Sequence, residues 1–394
     1  MFKRISYFLL VIFWLEMISF ITLIFLSKRL PNVVFNPKNY NFTLDSSKNN
    51  LSDPLGWGSE NLKESTIDVT NNCRVHLFGD SFMAFIPYKL FKYKNEFISP
   101  ENIISKKTGC KIFNYGVGGY GSDQAYLKFK DQIAKKNLLP GDFIILSHLT
   151  ENILRNSTRN HRLLYPISSK TSTMLKPKFK LNDNGQLTLI SIPKDLNNIE
   201  LSEINQKGFT ARTVKEENSL FIVNDVKGSP SEIKFPYTVN FFKIIFSWHL
   251  LPRFYGEEKW YPFYKEDSIH YLVTKKILRE FHHTSIKNGL KPISLDLPLA
   301  YDFNKFFKSN QNNFPLTEYL KSINLNHHSF GNYLTKNYPV VLRNKCFIYN
   351  GINDGGDDCK FHFNQKGYIL MINFISELIN NSIEQKTKGT FKYL

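Results

Sequence analysis

The chain opens on one long apolar run. Residues 5 to 26, ISYFLLVIFWLEMISFITLIFL, contain a single acid, Glu16. About 20 apolar residues suffice to cross the hydrocarbon core as a helix, so the run predicts a transmembrane span. Residues 28 to 70 carry Asn, Ser, Lys and Pro without periodicity and read as a spacer. Beyond it the apolar positions come in short blocks. RVHLF at 74 to 78, KIFNY at 111 to 115, the middle of LPGDFIILSHL at 143 to 147, and KPISLDLP from Lys291 each predict a strand. Between them the period lengthens to that of helices. One starts at Ser122 with Tyr126, Phe129 and Ile133 on a face, and a second, YLVTKKILREFHHTSIKNG, stops at Gly289. A third is capped by Asn364 and carries the stripe Tyr368, Met371, Ile372, Ile375, Leu378 and Ile379. Strands alternating with helices predict an α/β fold, a doubly wound parallel sheet whose ligands bind at the carboxyl ends of the strands.

Residues 159 to about 265 break this rhythm. FKLNDNGQLTLISIP predicts a β-hairpin around Asp183-Asn184-Gly185, and the aromatic stretch through SWHLLPRFYGEEKWYPFY has no clean period. The segment reads as an insertion capping the core, a common place for selectivity. The expected organisation is an anchor at 1–27, a spacer at 28–70, one domain at 71–385 with its insertion at 159–265, and a tail at 386–394.

Composition narrows the class. A chain of 394 residues that is 42% hydrophobic and 15% aromatic can bury a full core, which excludes disorder. The net charge of +17 invites a polyanion. Its lysines are scattered, however, and no helix-turn-helix, zinc-finger or RNP pattern is present, so nucleic acid is not an expected partner. No small-residue cleavage site follows the apolar run, which predicts an uncleaved single-pass anchor with residues 5–26 in the lipid bilayer. Lys3 and Arg4 on one side balance Lys28 and Arg29 on the other, so flanking charge does not set the orientation.

Cys73 and Cys110 each precede a strand, and if those strands are parallel neighbours the thiols start side by side, as a disulfide needs. Cys346 and Cys359 are a second possible pair, and four unpaired thiols are the alternative. Either bridge would require an oxidising, extracytoplasmic compartment.

The polar breaks carry the chemistry. Gly79-Asp80-Ser81 follows the first strand, Gly116 to Gly121 the second, and Thr150-Glu151-Asn152 the third. A serine at a strand-to-helix turn lifts its hydroxyl above the sheet, with helix N–H groups behind it. Such an alcohol needs a histidine base and pre-aimed donors for the oxyanion. His362 is the candidate base, Gly119 and Asn152 are candidate donors, and Asp358 or Asp357 could orient the imidazole. Alone, each is ordinary: a turn, a glycine loop, a cap, a surface histidine. The pairs His282-His283 and His327-His328 diverge as neighbours in regular elements, and the NDGGDD loop at 353 to 358 lacks the EF-hand pattern, so no metal or other cofactor is expected.

Taken in order, FGDSF, NYGVGGYGSDQ, HLTENILRN and HFNQKGY resemble the four blocks of the SGNH/GDSL hydrolase family over residues 73 to about 158 and 266 to 380. The resemblance implies a flavodoxin-like SGNH hydrolase fold and a serine esterase. Ser81 would be the nucleophile and, through its backbone N–H, an oxyanion donor beside Gly119 and Asn152, with His362 as base. The family places an Asp three residues before the His. Here that position is Cys359, with Asp358 and Asp357 behind it, so a one-residue bulge or a backbone carbonyl would take over the orienting role. Ile153 also replaces the Asp that usually follows the Asn of the third block. The implied substrate is an acyl ester, O-acetyl on an extracytoplasmic carbohydrate. Two alternatives are an O-acyltransferase for a cell-surface polysaccharide, alone or partnered by a membrane acyltransferase, and a degenerate glycan-binding scaffold.

Overall fold

The computed structural model describes residues 2–29, 43–44, 53–158, 172–173, 175–192, 233–246, 260–299, 302–305, 314–338 and 362–387. The chain divides into two compact units: residues 1–59, 157–180 and 188–263 form one, and residues 60–156, 181–187 and 264–394 the other. Six strands build the main sheet, labelled β1 (Lys63–Glu64), β2 (Arg74–Phe78), β3 (Lys111–Asn114), β4 (Phe143–Leu149), β5 (Lys291–Leu297) and β6 (His327–Ser329). The helices are α1 (Phe2–Arg29), α2 (Pro100–Thr108), α3 (Ser122–Ala134), α4 (Asn152–Arg155), α5 (Tyr237–Ile245), α6 (Ile269–Lys287), α7 (Asp302–Lys305), α8 (Pro315–Ser322), α9 (Phe330–Asn337) and α10 (Gln365–Thr387).

The second unit is an α/β domain. Its sheet runs β6-β5-β4-β2-β3-β1, and every pairing is parallel except that of β1 with β3. Counting only the parallel strands in chain order gives 2-1-3-4-5, so the order reverses between β2 and β4. Such a reversal splits two successive loops apart and opens a crevice at the carboxyl ends of the strands. All seven residues of β4 are buried, as a central parallel strand covered on both faces requires. Val75, Leu77, Ile112, Ile144, Ile145, Leu146, Ile293 and Leu295 are 0 to 1% exposed and form the centre of the core. Helix α2 packs on α10 and α3 packs on α6, giving two helix groups for the two faces.

The four expected strands and three expected helices are present, with Gly367 N–H donating to the Asn364 side chain at 2.9 Å to cap α10. Three features depart from expectation. The stretch read as spacer contributes an edge strand, because Lys63–Glu64 pairs antiparallel with Phe113 and Asn114. Strand β6 and its flanking helices α8 and α9 lie in a stretch to which the sequence pattern assigned no element. Finally, no helix begins at Ser81. Residues 81–87 are consecutive turns, Phe85 takes a left-handed conformation with φ 55°, and Pro87 has no N–H to extend a helix.

The first unit holds the apolar helix α1, whose residues Ile5–Leu26 form a 22-residue stretch long and apolar enough to cross a membrane. Helix α5 packs along it. Within the segment read as an insertion, Lys178–Leu181 and Leu187–Ile190 pair as the expected hairpin, closed at its tip by Gly185 with φ 68°.

Candidate active site

Two loops meet where the strand order reverses. The chain leaves β2 through Gly79, and a Cβ there would stand 2.0 Å from Ser147 Oγ on β4, so only glycine fits. Leaving β3, the chain passes Gly116, where a Cβ would stand 2.6 Å from the backbone nitrogen of Ala84. The two loops therefore touch backbone to backbone. Asn114 clasps them: its amide donates to Met83 O at 2.9 Å and to Glu101 Oε1 at 2.7 Å, and its Oδ1 accepts from Gly116 N–H at 2.9 Å. Nothing in the sequence pattern singled out Asn114, which reads as the polar end of a strand.

Ser81 follows directly. Its backbone carbonyl accepts from Ile86 N–H at 3.0 Å while Asp80 O accepts from Ala84 N–H at 2.9 Å, so the turns after the strand do the positioning expected of a helix. The Ser81 Oγ lies 2.7 Å from His362 Nε2, although the two residues are 281 apart in sequence. His362 is held just ahead of the capped start of α10, with its ring stacked on Phe82 at 4.9 Å between centroids and an interplanar angle of 23°. Phe82 in turn meets Phe363 edge-on at 4.8 Å.

Burial keeps the His362 ring neutral, pulling its pKa from 6.5 to about 4; the Glu151 carboxylate pulls the other way and the Arg155 guanidinium adds to the lowering. A neutral imidazole is the form that can accept a proton from a hydroxyl. Ser81 therefore meets its base in the competent state at neutral pH.

Asn152, the first residue of α4, is fully buried, and its Nδ2 donates to Asp80 Oδ2 at 3.1 Å. Asp80 also accepts from Phe82 N–H at 2.9 Å. The residue between the strand glycine and the serine thus aims the amide of Asn152, whose second N–H remains to donate elsewhere. Burial raises the Asp80 pKa, opposed by Arg155 and by these two hydrogen bonds. The aiming role of Asp80 was legible only as one letter of FGDSF. Gly119 sits in the loop after β3 with φ 83°, a backbone conformation that glycine adopts without strain.

A polar network fixes the end of β4, where Asn152 begins. Tyr264 donates to Thr150 O at 2.5 Å and lies 3.1 Å from His148 Nε2, while Ser122 Oγ lies 2.8 Å from His148 Nδ1. Thr150 Oγ1 donates to Asp302 Oδ2 at 2.6 Å. Arg155 pairs with Glu151 and donates to Tyr120 O at 2.9 Å, tying α4 to the loop that holds Gly119.

Of the residues expected at the site, Ser81 and His362 come into hydrogen-bonding contact, and Asn152 is joined to the serine loop through Asp80. Asp357, Asp358, Cys346 and Cys359 lie outside the described residues. Cys73 and Cys110 are joined by a disulfide, with Cα atoms 4.8 Å apart at the starts of the neighbouring strands β2 and β3. Among the described residues no group of three or more His, Cys, Asp or Glu side chains could hold a metal ion. No known family model matches the sequence, and no curated protein matches it either.

Proposed function

We propose that this chain is a membrane-anchored serine esterase of the SGNH type, acting on O-acetyl or similar acyl esters of an extracytoplasmic carbohydrate. The observation that carries the reading is the 2.7 Å contact of Ser81 Oγ with a half-buried, neutral His362 at the carboxyl end of β2, beside the reversal in strand order. The Cys73–Cys110 disulfide supports an oxidising compartment, and α1 supports the anchor. The carbohydrate ester comes from the family resemblance of the four sequence blocks.

In this mechanism Ser81 Oγ attacks the acyl carbonyl while its proton passes to His362 Nε2. The oxyanion is received by the Ser81 and Gly119 backbone N–H groups and the Asn152 amide. Collapse breaks the ester C–O bond, and the leaving alcohol takes the proton from His362. Water then attacks the acyl-Ser81, again giving its proton to His362, and releases the acid with Ser81 restored. While protonated, the imidazolium lies in the field of the Glu151 carboxylate. If a sugar hydroxyl replaces water in the second half, the same groups perform acyl transfer.

The test is hydrolysis of an aryl acetate and covalent labelling by a serine-directed fluorophosphonate, each compared with Ser81→Ala. Both signals are expected in the wild type and neither in the variant. Folded wild type that gives neither, with or without added glycan acceptor, would overturn the reading.

A further inference from the structure

Glu16 stands in the middle of the apolar run, where an isolated carboxylate is unfavourable in hydrocarbon. It is not isolated. Its Oε2 accepts from Tyr237 N–H at 2.5 Å and from Thr238 N–H at 3.3 Å, the first two residues of the nine-residue helix α5. The opening N–H groups of a helix have no partner within it and carry the positive end of its dipole. Glu16 therefore closes the one end of α5 that a hydrocarbon environment would leave unsatisfied.

The contacts continue along one face of α1. Ser19 Oγ lies 3.2 Å from Thr238 Oγ1, and the Phe20 and Tyr237 rings are 4.8 Å apart between centroids. Further on, Leu23 is buried with Ile233 and Ile244, and Leu26 and Phe241 pack against them. The positions 16, 19, 20, 23 and 26 share one helical face, so α5 starts beside Glu16 and runs toward the Arg29 end of α1. Ten residues of helix from Glu16 to Leu26 rise about 15 Å, half of a hydrocarbon core of about 30 Å.

The opposite face of α5 is apolar and open. Phe235, Val239, Phe242 and Phe246 are 68, 50, 50 and 63% exposed, and on the side of α1 away from α5 Phe25 is 65% exposed, so the paired helices are apolar on both outer faces. The polar Asn240 spends its amide internally, on Lys234 O at 2.9 Å and Pro236 O at 3.3 Å. Lys243 lies exposed one turn from the end of α5, placed for its chain to extend to headgroups.

We infer that residues 233–246 enter the same bilayer as α1, as a half-span whose outer face meets lipid acyl chains and whose N-terminal end near the midplane is capped by Glu16. The occupant of the open face is lipid because α5 packs along the apolar run of α1, both helices turn apolar side chains outward, and the acid inside the run already accepts from the first two N–H groups of the half-span. The inference rests on α1 spanning the membrane.

The test uses the full chain in phosphatidylcholine vesicles containing a phosphatidylcholine with a photoactivatable diazirine on its acyl chain, and maps adducts by mass spectrometry. Adducts are expected on residues 5–25 and on 235–246. Adducts on 5–25 alone would overturn the half-span and leave the spanning helix standing, whereas adducts on neither would remove the spanning helix itself. In Glu16→Leu the adducts on 235–246 are expected to fall severalfold with those on 5–25 unchanged, and Glu16→Gln, which keeps an acceptor oxygen, is expected to retain them. Equal adducts on 235–246 in Glu16→Leu and wild type would overturn the capping role.

Discussion

Among the serine–histidine contacts of the α/β unit, Ser294–His327 and Ser81–His362 repay comparison, because by hydrogen bonding alone the wrong one looks more complete. Ser294 Oγ on β5 lies 2.9 Å from His327 Nδ1, and His327 Nε2 lies 3.1 Å from Asp296 Oδ1, so a serine, an imidazole and a carboxylate stand in line. At the other contact, Ser81 and His362 are 2.7 Å apart. The difference lies in what each group has left to offer. Ser294 and Asp296 are 0% exposed in the body of β5, between β4 and β6. The hydroxyl of Ser294 is shared with His282 Nε2 at 3.0 Å, and Asp296 also accepts from Thr317 at 2.9 Å and Ser329 at 2.8 Å. With Ser294 fully buried inside the sheet, no substrate carbonyl can reach the hydroxyl that faces His327. Ser81, by contrast, follows the end of a strand at the reversal in strand order, where a substrate can reach it. A satisfied polar network holds β5, β6 and α8 together; an unsatisfied one at a strand end is where chemistry is expected.

The largest effect should come from breaking the catalytic side. Ser81→Ala is expected to lower aryl-acetate turnover by on the order of 10⁴-fold or more and to abolish fluorophosphonate labelling. Ser294→Ala should leave labelling of the folded protein intact. Loss of labelling in folded Ser294→Ala together with its survival in Ser81→Ala would exchange the two assignments.

Next in size is the reciprocal test. Asp296→Ala strips the acceptor from His327, Thr317 and Ser329 at once, and is expected to cost about 3 kcal/mol in urea unfolding, since each stranded buried donor carries about 1–3 kcal/mol. Turnover per folded molecule should not change. A stability loss below about 1 kcal/mol would show that these bonds are not holding the strands together. Smaller again is Asn152→Ala, expected to lower kcat by about 10²-fold with a lesser change in KM, as for loss of one oxyanion donor. An effect confined to KM would reassign Asn152 to ground-state binding.

How far the sequence discloses this depends on separation along the chain. Strands β2 to β5 were legible because each is a short block rich in apolar residues with glycine or proline close by, and Gly79-Asp80-Ser81 was legible as the polar break that follows the first. The edge strand Lys63–Glu64 was not, since both residues are exposed and polar and only pairing with Phe113 and Asn114 makes them a strand. The turns after Ser81 read locally as a helix start because Ser81 to Ile86 carry no breaker before Pro87; their geometry is set by tertiary contacts, including those of Asn114 with Met83 O and Gly116 N–H. The Asp80–Asn152 bond joins residues 72 apart, and no local period could reveal it.

The smallest expected effect separates the two histidine environments by pH. Burial lowers His362 from 6.5 to about 4, and it lowers His282 from 6.5 to about 3, with the neighbouring His327 adding to the shift. For catalysis the neutral ring is the active form, so turnover per folded molecule should stay level as the pH falls from 7 and decline through about 4. For stability the unfolded chain binds a proton at His282 below about 6.5 while the folded chain does not until about 3. Folding therefore loses stability as the pH falls across that interval, by up to about 1.4 kcal/mol per pH unit for one such group. Urea midpoints and folded-fraction-corrected rates, measured on the same samples from pH 7 to 4.5, should thus part company: the midpoints fall while the rates hold. Rates that fell from about pH 6.5 would mean that the His362 ring titrates as it does in water, and the half-buried contact with Ser81 would not describe the working site.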